Sequence, residues 1–315
     1  DRGSNPPALF MALSLRKNSD RATIGLDIDG RYVAAAQTDG GRLLRAASVE
    51  LREGLVRDGE VSDPAALGQE LRNFVSEHRL PRSVRLGVTN QQIVVRVIEL
   101  PAIDDPKQRE AAVRFQAAET IAMPLDDAVL DHQVAGYVAA PDGTPRMQVV
   151  VVAARRSMID AVLEAAKIAG LKPEGIDLDA FALVRVLAAG DDDARVYCHL
   201  GGVTNLAVAV GSSCFFTRPL SAEWDEEDAS SRLADEIRLS IDYYMTQPQA
   251  KPVGEVVLSG PGSREDTLVS DLGVQLGLPV TVAAPLGALD GSAVTDSEDP
   301  CRYTVAAGLA LGRAA

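Results

Sequence analysis

Cysteine, histidine and aromatic residues are scarce in this chain. Its 315 residues include three cysteines, three histidines and one tryptophan, and aromatics make up 4%. Cys198, Cys214 and Cys301 form no C-x-x-C pair and leave one cysteine over. That argues against a disulfide framework or a zinc site and fits a reducing compartment. His78, His132 and His199 are scattered, without H-E-x-x-H spacing. No apolar run reaches about 18 residues, the length a membrane-crossing helix needs, and no signal peptide is visible. Basic residues are outnumbered, 31 against 45 acidic, for a formal charge of −14. Such a surface repels phosphate backbones and anionic lipid, so nucleic acid is not expected as a partner.

Apolar material is plentiful, at 46% of the chain, over a length suited to about two domains. Residues 1–10 read as Pro-rich and irregular, and Met11 looks like a natural start. The repeated elements begin after them. Apolar patterning predicts a strand over 22–27, a tight turn at Asp29-Gly30 and a strand over 32–37. The hairpin turn Thr38-Asp39-Gly40-Gly41 leads to a third strand over 43–51. Asp63 before Pro64 marks a helix start, and Leu67, Leu71, Phe74, Val75 and His78 recur on one helical face. A fourth strand is predicted over 84–89.

The same order returns later. A strand over 195–199, the turn Gly201-Gly202, a strand over 205–210, the turn Gly211-Ser212-Ser213 and a strand over 214–220 follow one another. A helix with Leu233, Ile237, Ile241 and Tyr244 on one stripe comes next, then a strand over 255–259 ending in Gly260-Pro261-Gly262. Asp27 matches His199 and Gly30 matches Gly202 at a common offset. Five elements in one order argue for an internal duplication rather than a chance likeness of two hairpins. Between the copies, a strand is predicted over 93–100. Asp105-Pro106 caps a helix carrying Ala112, Phe115, Glu119 and Ala122. Paired strands follow over 129–137 and 147–154, then a helix capped by Ser157 with Ile159, Val162, Leu163 and Ala166 inward. This stretch reads as a small α+β subdomain.

Two hairpin turns facing each other across a cleft can hold a nucleotide's phosphates, because tight turns aim backbone N–H groups at an anion. An acidic side chain beside each turn can hold Mg²⁺ through water. Residues 27–32 and 199–205 are the candidates. The run Ile24-Gly25-Leu26-Asp27-Ile28-Asp29-Gly30 resembles the first phosphate loop of the actin, heat-shock chaperone and sugar kinase superfamily. His199-Leu200-Gly201-Gly202-Val203-Thr204-Asn205 resembles the second, 256–263 the adenosine-contact strand and turn, and 306–312 the closing helix. The stretches 109–132, 175–185 and 235–244 are similar to the inserted subdomain, first connecting helix and nucleotide-side helix of the PilM family of type IV pilus assembly.

That resemblance spans 23–312. It implies an α/β fold of duplicated actin-like (ribonuclease H-like) domains around a central cleft, with an inserted small α+β subdomain. It divides the chain into an arm, 1–22; a first domain, 23–105 and 170–190; the insert, 106–169; a second domain, 191–303; and a closing helix, 304–315, packing back on the first domain. The implied nucleotide contacts are Asp27, Asp29, Gly30, Arg31 and Tyr32 in the first loop and Gly201, Gly202, Val203, Thr204 and Asn205 in the second. Glu236 faces the ribose, and Gly260, Pro261, Gly262 and Ser263 face the adenosine. Asp27 is the implied metal contact, with ATP and Mg²⁺ as cofactors.

The departures from the family pattern weigh against that chemistry. Where related first loops carry Gly, several Ser and a Lys, this chain has Asp29, Gly30, Arg31, Tyr32 and Ala34. Asp29 adds negative charge where phosphate would sit. His199 replaces the usual Asp of the second loop, and Mg²⁺ prefers oxygen ligands. Each residue also has a plainer reading: Asp27 as a turn cap, Arg31 as a solvated turn residue rather than a phosphate fork, His199 as a satisfied buried histidine, Glu236 as a solvated helix face. Glu223 to Asp228, with Trp224 inside, reads as a solvated loop and helix start. No catalytic residue is assigned.

The resemblance implies a cytoplasmic adaptor, peripheral to the inner membrane. Its groove by the insert would take the extended N-terminal peptide of an inner-membrane partner of the PilN type; self-association stays open. The alternatives are an active ATPase or sugar kinase of the same fold, or an FtsA-like division protein. The latter end in a basic amphipathic tail, unlike Leu311-Gly312-Arg313-Ala314-Ala315.

Overall fold

A computed structural model describes residues 23–312 apart from 191, 249, 285, 288, 293 and 295–298. Ala22, the arm and residues 313–315 lie outside the described residues. The chain opens with a meander of β1 (Ile24–Ile28), β2 (Tyr32–Asp39) and β3 (Arg42–Glu50), joined by the two predicted turns. A short hairpin, β4 (Val56–Arg57) and β5 (Glu60–Val61), precedes α1 (Pro64–Glu77). The Asp63 carboxylate accepts from the Ala66 N–H at 2.9 Å, the predicted cap. Leu67, Leu71, Phe74 and Val75 are buried as expected, but His78 is the exposed C-cap residue, its ring against Phe74. The helix ends one residue earlier, so His78 leaves the inward stripe. β6 (Ser83–Val88) then runs parallel beside β1.

The insert follows: β7 (Val94–Pro101), α2 (Pro106–Thr120), β8 (Ala128–Ala139) and β9 (Pro145–Arg155). Its sheet runs β7-β9-β8, all antiparallel. The predicted inward face of α2 is corrected. Val113 and Ala117 are buried, whereas Phe115 is 69% exposed. Two residues on from Val113 is about 200° around a helix, so Phe115 points away from the sheet. Next, α3 (Arg156–Ala169) begins one residue before the expected cap; Ser157 lies inside its first turn and no side chain caps it.

β10 (Lys172–Leu178) and α4 (Asp179–Leu187) divide a stretch expected to be helical from 175. Strand pairing with β6 claims its first half. The second copy consists of β11 (Ala194–His199), β12 (Asn205–Val210), β13 (Ser213–Pro219), α5 (Ala229–Met245), β14 (Val253–Ser259), α6 (Asp266–Leu276) and β15 (Val280–Val282). A closing α7 (Thr304–Leu311) ends the described chain.

The two sheets are separate and have one topology. The first runs β3-β2-β1-β6-β10 and the second β13-β12-β11-β14-β15, each with two antiparallel then two parallel pairings. This matched order is the duplication read from the sequence. Between β14 and β15 stand a single 3-10 turn and α6, whose counterpart between β6 and β10 is α3, so the extra material runs from β7 through α2 to β9. Accordingly β7, expected in the first domain, pairs with β9 along its whole length. α3, expected in the insert, packs on α1, where Gly68 lets Ile168 approach. The closing helix lies on β1, β2 and α4. A Cβ at Gly25 would stand 2.0 Å from the Ala306 carbonyl oxygen, so only glycine permits that contact.

Candidate functional site

The loops β1–β2 and β11–β12 meet between the two halves. Asp27 ends the buried part of β1, and Asp29 follows in the turn; both are buried. The Asp29 carboxylate accepts the Gly202 N–H at 2.5 Å from across the cleft and the Arg31 N–H at 3.3 Å from its own turn. Glycine is required opposite it. A Cβ at Gly201 or at Gly202 would stand 2.3 Å from an Asp29 carboxylate oxygen.

Arg31 also crosses the cleft. Its guanidinium forks onto Asp225 at 2.6 and 2.9 Å and reaches Glu223 at 2.5 Å. It lies over the Trp224 ring at 5.7 Å, and the Trp224 indole N–H donates to the Gly201 carbonyl at 3.0 Å. Trp224 packs so closely on the β14 turn that a Cβ at Gly262 would stand 2.5 Å from its ring. In the acidic stretch read as solvated, the carboxylates from Glu223 to Asp228 are indeed exposed, while Trp224 is half-buried and Arg31 pairs with Glu223 and Asp225 across the cleft.

The remaining nucleotide-contact candidates are mostly engaged within their own half. Glu236 accepts the Ser221 and Ala222 N–H groups at 3.0 and 2.9 Å and pairs with Arg218 at 2.6 Å, so it holds the 221–222 turn. The Ser263 hydroxyl donates to the Gly260 carbonyl, and the Asn205 carboxamide oxygen accepts from Thr217 at 3.4 Å. Tyr32 is buried under the Arg302 guanidinium at 5.0 Å. Gly30 turns the first loop at φ 100°. Pro261 opens the one-turn helix after Gly260. Val203 and Thr204 line an open groove of about 510 Å³ with Arg57, Asp58, Glu60 and Glu223.

Burial governs the electrostatics. It pushes the Asp27 carboxyl well above the usual range, with the charges of Asp179 and Asp29 adding to the effect. Asp179, which the sequence reading did not single out, is raised in the same way. Asp29 is raised to about 6, burial outweighing the N–H groups of Gly202 and Arg31. His199 shares a 3.1 Å hydrogen bond with the Ser259 hydroxyl, and burial lowers its pKa to about 4, so its ring is neutral. Asp27 Oδ2, Asp179 Oδ1, His199 Nε2 and Thr204 Oγ1 are buried with no protein partner. Among the described residues, no group of three or more His, Cys, Asp or Glu side chains is arranged to hold a metal.

A second feature lies at the insert. A cavity of about 150 Å³ opens where β8 and β9 meet α4 and the β12–β13 turn, lined among others by Gln133, Ala135, Phe181, Ser213 and Cys214. Among the described residues, no strand pairs with the outer edge of β8.

The sequence profile of the type IV pilus assembly protein PilM matches residues 25–193, more than half of the chain. The chain belongs to the PilM family. A solved structure described as the PilM-PilN type IV pilus biogenesis complex contains a chain 26% identical, superposing with a TM-score of 0.77 over 92% of this chain and 98% of that one. The ethanolamine utilization protein EutJ from Carboxydothermus hydrogenoformans, 15% identical, superposes at 0.51 over 97% of this chain and 94% of its own. The fold is the duplicated actin-like one. Within this PilM-family chain, sequence reasoning singled out both loops that meet here but not Trp224 or Asp179, which lie beside them. The chain's single tryptophan, set among carboxylates, was the available signal for Trp224. No helix among the described residues is long and apolar enough to cross a membrane.

Proposed function

We propose that this protein is a cytoplasmic actin-like adaptor of the type IV pilus assembly platform, held at the inner membrane by the N-terminal peptide of a PilN-type partner. The observation that carries this reading is the 0.77 superposition on a PilM-PilN complex along nearly the whole of both chains. The peptide site is assigned to the open edge of β8 and the cavity beside it. An extended peptide adds to a sheet edge through backbone hydrogen bonds, and a neighbouring pocket reads its side chains. A cavity of about 150 Å³ takes one large apolar side chain, with Gln133 and Ser213 offering polar contacts at its rim. Sequence alone offers the strand over 93–100 and the helix around Phe115 as walls; β7 packs against β13, which favours the β8 edge instead.

The cleft is assigned no turnover. A bound phosphate requires the Gly202 N–H that Asp29 holds, and the Asp29 carboxylate stands where that anion would sit. The position where related first loops carry a Lys is Ala34. ATP and Mg²⁺ therefore do not fit the residues as arranged. Fluorescence anisotropy with a labelled N-terminal peptide of the host's PilN-type protein tests the adaptor reading. Binding in the micromolar range, about −8 kcal/mol at 1 μM, is expected; no binding at millimolar peptide overturns it. Calorimetry with ATP and Mg²⁺ tests the cleft, where sub-micromolar binding would overturn the second part alone.

A further inference from the structure

The second of the two loops and the β14 turn are both covered by the protein's own side chains. A turn of backbone N–H groups is a site for an anion, and here the Asp29 carboxylate takes the Gly202 N–H from the opposite half. Glycine at the β14 turn admits a flat ring, and here the Trp224 indole covers Gly262 and hydrogen-bonds Gly201. Asp29 comes from the first half and Trp224 from the second. Arg31 then ties them together, stacking on Trp224 and pairing with the residues on either side of it.

We propose that Asp29, Arg31 and Trp224 form a built-in occupant of the cleft, an anion and an aromatic plane that stand where a nucleoside polyphosphate's phosphate and base would stand, and that it clasps the two halves closed without any ligand. This rests on the reading above that ATP and Mg²⁺ do not fit the cleft, and adds to it a cause and a consequence. The cause is occupation rather than the mere loss of contacts. The consequence is that the halves stay in register while the partner peptide binds elsewhere. Charge-assisted forks such as Arg31 on Asp225 are short and strong because one guanidinium supplies two aligned donors. The stack on Trp224 adds a cation–π contact to the same side chain.

The chain's single tryptophan makes the clasp directly visible. Acrylamide quenching of Trp224 fluorescence in the full-length protein is expected to be weak. In Arg31→Ala, and separately in Asp225→Asn with Glu223→Gln, the quenching constant should rise about threefold or more as the loop opens locally. Far-UV circular dichroism should be unchanged in both. Two routes to the same release keep the result readable if one variant folds poorly. A wild-type Trp224 as accessible as a free tryptophan amide, or unchanged quenching in both variants, would overturn the occupant. Should the wild-type chain bind ATP, exposure of Trp224 on binding supports the occupant although the reading that ATP does not fit fails. ATP bound with Trp224 still shielded overturns the occupant.

Discussion

Gly308 on α7 lies so close to Ala182 on α4 that a Cβ there would stand 2.0 Å from the Ala182 carbonyl oxygen. Arg185 closes the same contact, donating to the Gly308 carbonyl at 2.8 Å while pairing with Asp177 at 2.7 Å. The end of the chain is thereby fastened to the helix that links the two halves. Gly308→Ala must push the helices apart and is expected to cost about 1–3 kcal/mol, as overpacking does. Urea denaturation measures it, and a loss below about 0.5 kcal/mol, the scale of an ordinary surface substitution, would contradict the close crossing.

Asp29 gives a pH-dependent prediction. Its folded pKa of about 6 stands above the ordinary 3.8. The folded chain thus holds this proton more tightly than the unfolded chain, a contribution present below about pH 4 and lost as pH rises through 6. Asp29→Asn keeps an oxygen for the Gly202 N–H and removes the buried charge. It should stabilise the protein by about 1–3 kcal/mol at pH 7.5, and the gap should close near pH 4. Thermal melts across that range check it; a variant less stable than wild type at pH 7.5 would refute the assignment.

His199 acts in the other direction. Its folded pKa of about 4 is below the ordinary 6.5, so its contribution is present above pH 6.5 and lost as pH falls toward 4. His199→Gln carries no such group. Between pH 6.5 and 4 the wild type should lose up to about 3 kcal/mol more than the variant. Parallel slopes for the two proteins would show that the ring takes up a proton freely in the folded state.

Filling the cavity beside β8 separates the peptide site from the cleft. Ala135→Trp places a large ring in that cavity and should weaken the peptide at least tenfold, about 1.4 kcal/mol. Acrylamide quenching of Trp224 is not a usable control in this variant, since it adds a second tryptophan; cooperative unfolding is. Unaltered peptide affinity would move the site away from β8.

The duplication was legible because its signals are local. Hairpin turns, alternation along strands and the Asp63-Pro64 helix start all lie within a few residues of what they dictate. The clasp was not, because Arg31 and Asp225 are 194 residues apart in sequence and each reads alone as a surface charge. Phe115 and His78 show a second limit. Both are ring-bearing residues near a helical stripe, and small shifts of phase or of the helix end put them in solvent. Glu236 shows a third, since the backbone turn it holds is visible only once 221–222 folds back on α5.

The alternation along β9 makes it a shared girder. Val150, Val152 and Ala154 pack with Leu67 and Leu71 in the core of the first half, while Val149, Val151 and Ala153 pack with Val113 and Ala117 under α2. The insert is therefore not an appendage hung from a loop. With the partner peptide docked on β8 as proposed, a pull on that strand would bear on β9 and, through it, on the core of the first half. Load from the pilus machinery would enter this molecule through its interior.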